Sequence, residues 1–180
     1  MSDLEEPKPG VSRRTVAKAM AWSVPAVALA VPTPAYAASP GVITVTGAGC
    51  KLPGASQNAV FKGYAFRATI SNTTNTAITV TIVDMTLDGD DLGNVGVIRL
   101  DPCTDLGTNT FTVAANSTFD VALLTQNAAT SANGQLIISY TVDGGPVQQV
   151  STDANASPPI QGASCTAFSD SEQDCIVSEA

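Results

Sequence analysis

The chain predicts an all-β domain built as two stacked antiparallel sheets, and three observations predict it. Apolar residues recur at every second position over most of the chain, the spacing of half-buried strands. Tyr64, Phe66, Ala68 and Ile70 share one face, while Ala65, Arg67, Thr69 and Ser71 share the other. Thr, Val and Ile dominate these runs, and β-branched side chains suit a pleated surface better than a helix. Turn residues separate the runs: Asn72-Thr73-Thr74-Asn75, Asp88-Gly89-Asp90-Asp91, Ala115-Asn116-Ser117, Asn133-Gly134 and Asp143-Gly144-Gly145. Asp-Gly and Asn-Gly supply the positive φ that tight hairpins need. No window beyond residue 37 holds a sustained 3.6-residue spacing, so no helix is expected there.

Residues 1–37 come first and read as an export signal. Ser12-Arg13-Arg14-Thr15-Val16-Ala17-Lys18 opens it, an apolar run interrupted by Pro25 follows, and Ala35-Tyr36-Ala37 closes it. The apolar run is shorter than the roughly 20 residues a spanning helix needs, and Pro32 and Pro34 break any helix before the small-x-small site. Ser12, Arg13, Arg14 and Lys18 resemble the twin-arginine (Tat) signal family, with Val16-Ala17 in place of that family's Phe-Leu. The resemblance implies a Tat translocase and a signal peptidase as transient partners. Cleavage is expected after Ala37, leaving Ala38 as the new N-terminus, with no stable membrane span in the mature form. With no Cys beside Ala37 and no Pro-x-Thr-Gly segment, no covalent anchor is expected.

About eight strands follow, over 42–47, 60–71, 77–87, 93–100, 110–114, 118–125, 135–142 and 147–152. They form one domain over 38–154. Many short strands with even turn spacing and no helices mean a sandwich or a barrel, and the Thr-rich, aromatic-poor text favours the sandwich. Phe66-Arg67-Ala68-Thr69-Ile70-Ser71-Asn72, then Thr76-Ala77-Ile78-Thr79-Val80-Thr81, is similar to a strand–turn–strand unit of immunoglobulin-like repeats in bacterial surface proteins. Phe111 to Thr118 resembles their later hairpin. The signal and body together look like small exported proteins of actinobacteria. The resemblance implies an immunoglobulin-like antiparallel β-sandwich of 7–8 strands in an exported protein, and implies no activity.

Residues 155–180 are poor in large apolar residues and rich in Ser, Asp and Glu, and read as an acidic tail. The chain has 4 Cys, at Cys50, Cys103, Cys165 and Cys175, which in an exported protein suggests two disulfides. The expected pairs are Cys50–Cys103 and Cys165–Cys175, because Cys50 follows the first strand and Cys103 the fourth. The alternative is a tail cysteine that reaches back to the body and pins the tail. Because twin-arginine export carries folded proteins, the sandwich is expected to fold on its apolar core first and the bridges to close after export.

Charge and composition exclude whole classes of function. Past residue 37 there are four bases against thirteen acids, a charge of about −9. Such a field repels nucleic acid and anionic lipid. The chain has no His, which removes Ser-His-Asp and Cys-His catalysis. There is no Cys-x-x-Cys, no Gly-x-Ser-x-Gly elbow and no phosphate-cradling loop, and no cofactor is expected. Asp88, Asp90 and Asp91 supply the hard oxygen donors calcium takes, but lack the spacing and terminal Glu of an EF-hand loop. Asn72, Asn116 and Asn155 begin Asn-x-Ser/Thr sequons and are read as turn residues. The sequence therefore predicts a secreted or cell-surface, non-catalytic structural or interaction protein whose partner is an envelope protein or glycan. A carbohydrate-binding module stands second, for which Tyr64 or Phe168 would have to form an exposed patch, and a hydrolase stands third.

Overall fold

The computed structural model describes residues 42–53, 60–155 and 158–180. The export-signal residues, including Ser12, Arg13, Arg14, Lys18, Ala35, Ala37 and Ala38, lie outside them. The described residues are all-β with one short helix. Its strands are β1 (Ile43–Lys51), β2 (Tyr64–Asn72), β3 (Ile78–Leu87), β4 (Asp90–Asp91), β5 (Val95–Leu100), β6 (Cys103–Thr108), β7 (Thr110–Val113), β8 (Ser117–Thr125), β9 (Asn133–Val142) and β10 (Gln148–Asn155), followed by helix α1 (Asp170–Glu179).

The strands pair in the order β4-β3-β9-β10-β1-β2-β8-β5-β6, with β7 added to β3. One half, β1-β2-β8-β5-β6, is antiparallel throughout. So is the other, β4-β3-β9-β10 with β7. β1 joins them, antiparallel to β2 and parallel to β10 through Ala48 and Asn155. The sheet is therefore mixed, where antiparallel pairing alone was expected. The crossing coincides with a register shift between Val45 and Gly49. Gly47 sits inside it at φ +76°, and a Cβ there would stand 2.0 Å from the Asp153 carbonyl oxygen. Only glycine permits both that dihedral and that approach.

Asn109 makes a second link, between β6 and β7, at φ 53°. Its N–H donates to the Val95 carbonyl (2.8 Å), its carbonyl accepts from the Ile82 N–H (2.7 Å), and its side-chain amide donates to the Ile82 carbonyl (3.0 Å). One residue thus stitches β5 to β3. Between these links the sheet curls around one core. Tyr64, Phe66, Ala68 and Ile70 of β2 pack in a single cluster with Val80 and Ile82 of β3, Val121 and Leu123 of β8, and Leu136, Ile138 and Tyr140 of β9. The face that the period-two spacing assigns to Tyr64, Phe66, Ala68 and Ile70 is thus the core-facing one.

A second apolar cluster lies on the opposite face of the β1-β2-β8-β5-β6 half. Ala65, Ile98, Leu100, Ala122 and Leu124 from the sheet, with Phe61, meet Ile160, Phe168 and Ile176 from the C-terminal segment. Residues 158–180 are thus a cap on the sheet. Ile176 is fully buried, which alone stabilises the docked cap by about 1.5–3 kcal/mol. Helix α1 starts from a capping box: the Ser169 hydroxyl accepts from the Glu172 N–H, and the Glu172 carboxylate accepts from the Ser169 N–H at 2.7 Å. The expectation of no helix fails here, because a single amphipathic turn of contact (Gln173, Cys175 and Ile176 are its buried residues) is too short to leave a 3.6-residue pattern.

The expected cysteine pairing also fails. The bridges are Cys50–Cys165 and Cys103–Cys175. Cys50 lies on β1 and Cys103 on β6, with β2, β8 and β5 between them. Four strand spacings of about 4.8 Å separate the two by about 19 Å, far beyond the roughly 6 Å a disulfide spans between Cα atoms. The cap instead crosses the sheet and is stapled at both sides, as the alternative of a tail cysteine reaching back to the body anticipated. On the chain-entropy argument, loops of 115 and 72 residues correspond to about 4–5 kcal/mol for either bridge taken alone.

Candidate functional site

Among the described residues, a polar grouping around Arg67 lies where the cap meets the sheet. β2 carries Arg67 outward, opposite the core-facing Phe66 and Ala68, and β8 carries Asp120 outward from the same sheet half. Thr69 and Asp120 are register partners, so Arg67 reaches Asp120 on the diagonal. Its Nη2 donates to Asp120 at 2.7 Å. Its Nη1 donates to both oxygens of Glu172 on α1 at 3.0 Å and to the Ala167 carbonyl at 3.3 Å. The guanidinium also stands 6.0 Å from the centroid of the Phe168 ring. Arg67 is therefore the polar clasp of the cap. A cleft of about 550 Å³ opens beside it, lined by Arg67, Arg99, Phe119, Asp120 and Glu172 among others. Arg99 lies 4.6 Å over the Phe119 ring and donates from Nε to the Asp101 carbonyl at 2.8 Å.

The charges set the chemistry. The Arg67 hydrogen bond pulls the Asp120 carboxyl below its usual range, against a smaller opposing effect of burial, and Thr69 assists. Burial pushes Glu172 upward, but the hydrogen bonds from Arg67 and Ser169 together outweigh it, so Glu172 also titrates low. Arg67 is raised, first by its bond to Glu172. Both carboxylates are held ionised, the reverse of the raised carboxyl a general acid in glycoside hydrolysis needs. The grouping binds the cap to the sheet.

The other predicted residues are dispersed. Asp88 takes φ 53° in the turn after β3, Asp90 accepts from the Thr130 N–H at 2.6 Å, and Asp91 accepts from the Gly93 N–H at 2.7 Å. That Thr130 N–H is what draws the Asp90 carboxyl down. Among the described residues, no three such groups converge on a point where a metal ion could sit. Asn72 is buried, and its amide nitrogen donates to the carbonyls of Thr76 (2.8 Å), Val113 (3.2 Å) and Ala114 (2.9 Å). Its carbonyl oxygen accepts from the Thr74 N–H at 3.0 Å. Asn116 takes φ 50° in the turn before β8, and Asn155 ends β10. Tyr64 and Phe168 are both buried and form no surface platform.

The sequence alone does not reveal the Arg67–Asp120–Glu172 clasp, although Arg67 is one of only four bases beyond residue 37 and occupies the polar face of its strand. Glu172 closes the Ser-x-x-Glu signature of a helix start, which was the available signal for α1. No family model matches the chain, and no curated protein matches it. Two closed disulfides fit an oxidising, extracytoplasmic setting. No helix among the described residues is long and apolar enough to cross a membrane.

Proposed function

We propose that this chain is an exported, non-catalytic structural or interaction module of the cell envelope or the secreted fraction. In this reading the β domain is an immunoglobulin-like sandwich whose first strand serves both sheets. Support for the sandwich comes from the antiparallel and parallel partners of β1 and from the single core that draws on both halves of the strand order. The observation that carries the functional reading is the double staple: both disulfides tie the cap to the body, and Arg67, with its ion pairs to Asp120 and Glu172, serves the same junction. Side chains that an enzyme would spend on a substrate here hold one layer of the protein to another. The Arg13-Arg14 signal supplies the route to the oxidising compartment where such staples close.

Export is tested by fractionating a bacterium with a working twin-arginine pathway that expresses the full chain or its Arg13→Lys, Arg14→Lys double variant. The expected result is a processed chain outside the cytoplasm for the natural sequence and at least a tenfold loss of it for the variant. Equal export of both would overturn the route. Capture of a reproducible envelope protein by the exported chain would supply the partner. Selective retention on an envelope glycan would favour the sugar-binding alternative instead.

A further inference from the structure

The two staples are not equivalent. Cys50 and Cys165 are both buried and belong to the outer apolar cluster. Cys175 is buried on α1, but its partner Cys103 is exposed, on the edge strand β6. One bridge is sealed beneath the cap, while the other opens to solvent at the sheet edge. Neither bridge joins two strands of the sheet, and none of the four cysteines belongs to the main core. Thiol–disulfide exchange needs a thiolate to approach one sulfur of the bridge, and of the four cysteines Cys103 alone is an exposed residue.

We infer that Cys103–Cys175 is a thiol-exchange site, a latch that a dithiol reductant opens while Cys50–Cys165 holds the cap as a hinge. A thiolate of the dithiol attacks the Cys103 sulfur, forming a mixed disulfide and releasing Cys175 as a thiol once it takes up a proton. The second thiol of the reductant then attacks the mixed disulfide, frees Cys103 and leaves as a cyclic or intramolecular disulfide. Two electrons and two protons pass to the protein. With the latch open, the covalent tie at β6 is gone, and α1 is held by Ile176 and neighbouring apolar contacts and, from β2, by Arg67 on Glu172. Tilting of α1 about Cys165 uncovers Ile98, Leu100 and Ala122, an apolar strip that belongs to the sheet rather than to the cap. The state of one exposed bridge thereby decides whether this face is hidden or presented.

The test uses the full chain, purified oxidised and kept in non-denaturing buffer. It is exposed to graded dithiothreitol, quenched with an alkylating reagent and mapped by peptide mass. Cys103 and Cys175 are expected to label as a pair at least tenfold faster than Cys50 and Cys165, with an unchanged far-ultraviolet β spectrum. Simultaneous labelling of all four, earlier labelling of Cys50 and Cys165, or no labelling before the fold is lost would each overturn the latch. In parallel, the binding of an apolar fluorescent dye is expected to rise severalfold as the first pair opens. Opening without added dye binding would overturn the exposure of the sheet face. A Cys103→Ser, Cys175→Ser double variant that retains the β spectrum is expected to bind the dye with no reductant present.

Discussion

At the scale of single residues, polar side chains inside this protein act as joints. Asn72 ends β2, and its amide is shared among three carbonyls from the turn before β3 and the end of β7. Removing it takes the donor from the carbonyl of buried Val113 and from those of Thr76 and Ala114 on exposed residues, and a buried group left without its partner costs more than the bond itself contributed. Asn72→Ala is therefore expected to lower the unfolding free energy by about 2–3 kcal/mol, measured by urea denaturation of the oxidised chain. A change below about 0.5 kcal/mol would mean that the turn closes without it. Gln173 plays a comparable part in the cap. Its amide nitrogen donates to the carbonyls of Cys165 and Phe168, and its oxygen accepts from the Gln161 N–H. Asn72, Asn109 and Gln173 all use amide groups, which donate and accept at once without a buried charge.

At the scale of elements, the strands were readable and the pieces that close the structure were not. The eight expected strands all have observed counterparts, because alternate residues of β2, β3, β8 and β9 face the main core, although in β2 and β8 part of the other face is buried by the cap. β6 was missed because Cys103–Thr108 is an edge strand, exposed or half-buried throughout, with no apolar alternation to betray it. The expected strand over 42–47 runs on to Lys51: Gly49, Cys50 and Lys51 stay paired with β2, and Lys51 meets Pro158 and Ile160 of the cap on its other edge, where Gly47-Ala48-Gly49 gives no apolar alternation to read. The cysteines were identified as bridge-forming, but their pairing depends on strand order, which period-two patterning does not encode. Helix α1 was hidden in an acidic, Ser-rich text, although Ser169 and Glu172 held the start signal. That capping box sets an expectation of its own. Ser169→Ala removes the hydroxyl acceptor at the helix start, and should destabilise the docked cap by about 1 kcal/mol. Hydrogen exchange should accelerate in 170–179 while the amides of β2 and β9 stay protected. Uniform acceleration across the domain would show that cap and body unfold as one unit.

For the whole molecule, acidity acts in two opposing ways. The formal charge is −8 over the full chain, so protonation at low pH relieves general repulsion. The clasp responds in the other direction. Asp120 and Glu172 titrate below their ordinary values in the folded state, so each binds its proton more readily when unfolded. Their contribution is complete above the ordinary carboxyl range near pH 4–4.5 and is lost as pH falls through their depressed folded values. Comparing the natural chain with Arg67→Met separates the two effects, because the background charge relief is nearly common to both. The natural chain is expected to be more stable by about 1–2 kcal/mol at pH 7, a figure held down by the partial exposure of the pair. The gap should narrow from about pH 4.5 downward and nearly close by about pH 2, read from thermal unfolding at matched ionic strength. A gap that stays constant from pH 7 to pH 2 would assign Arg67 a packing role over Phe168 and deny the clasp its ionic part.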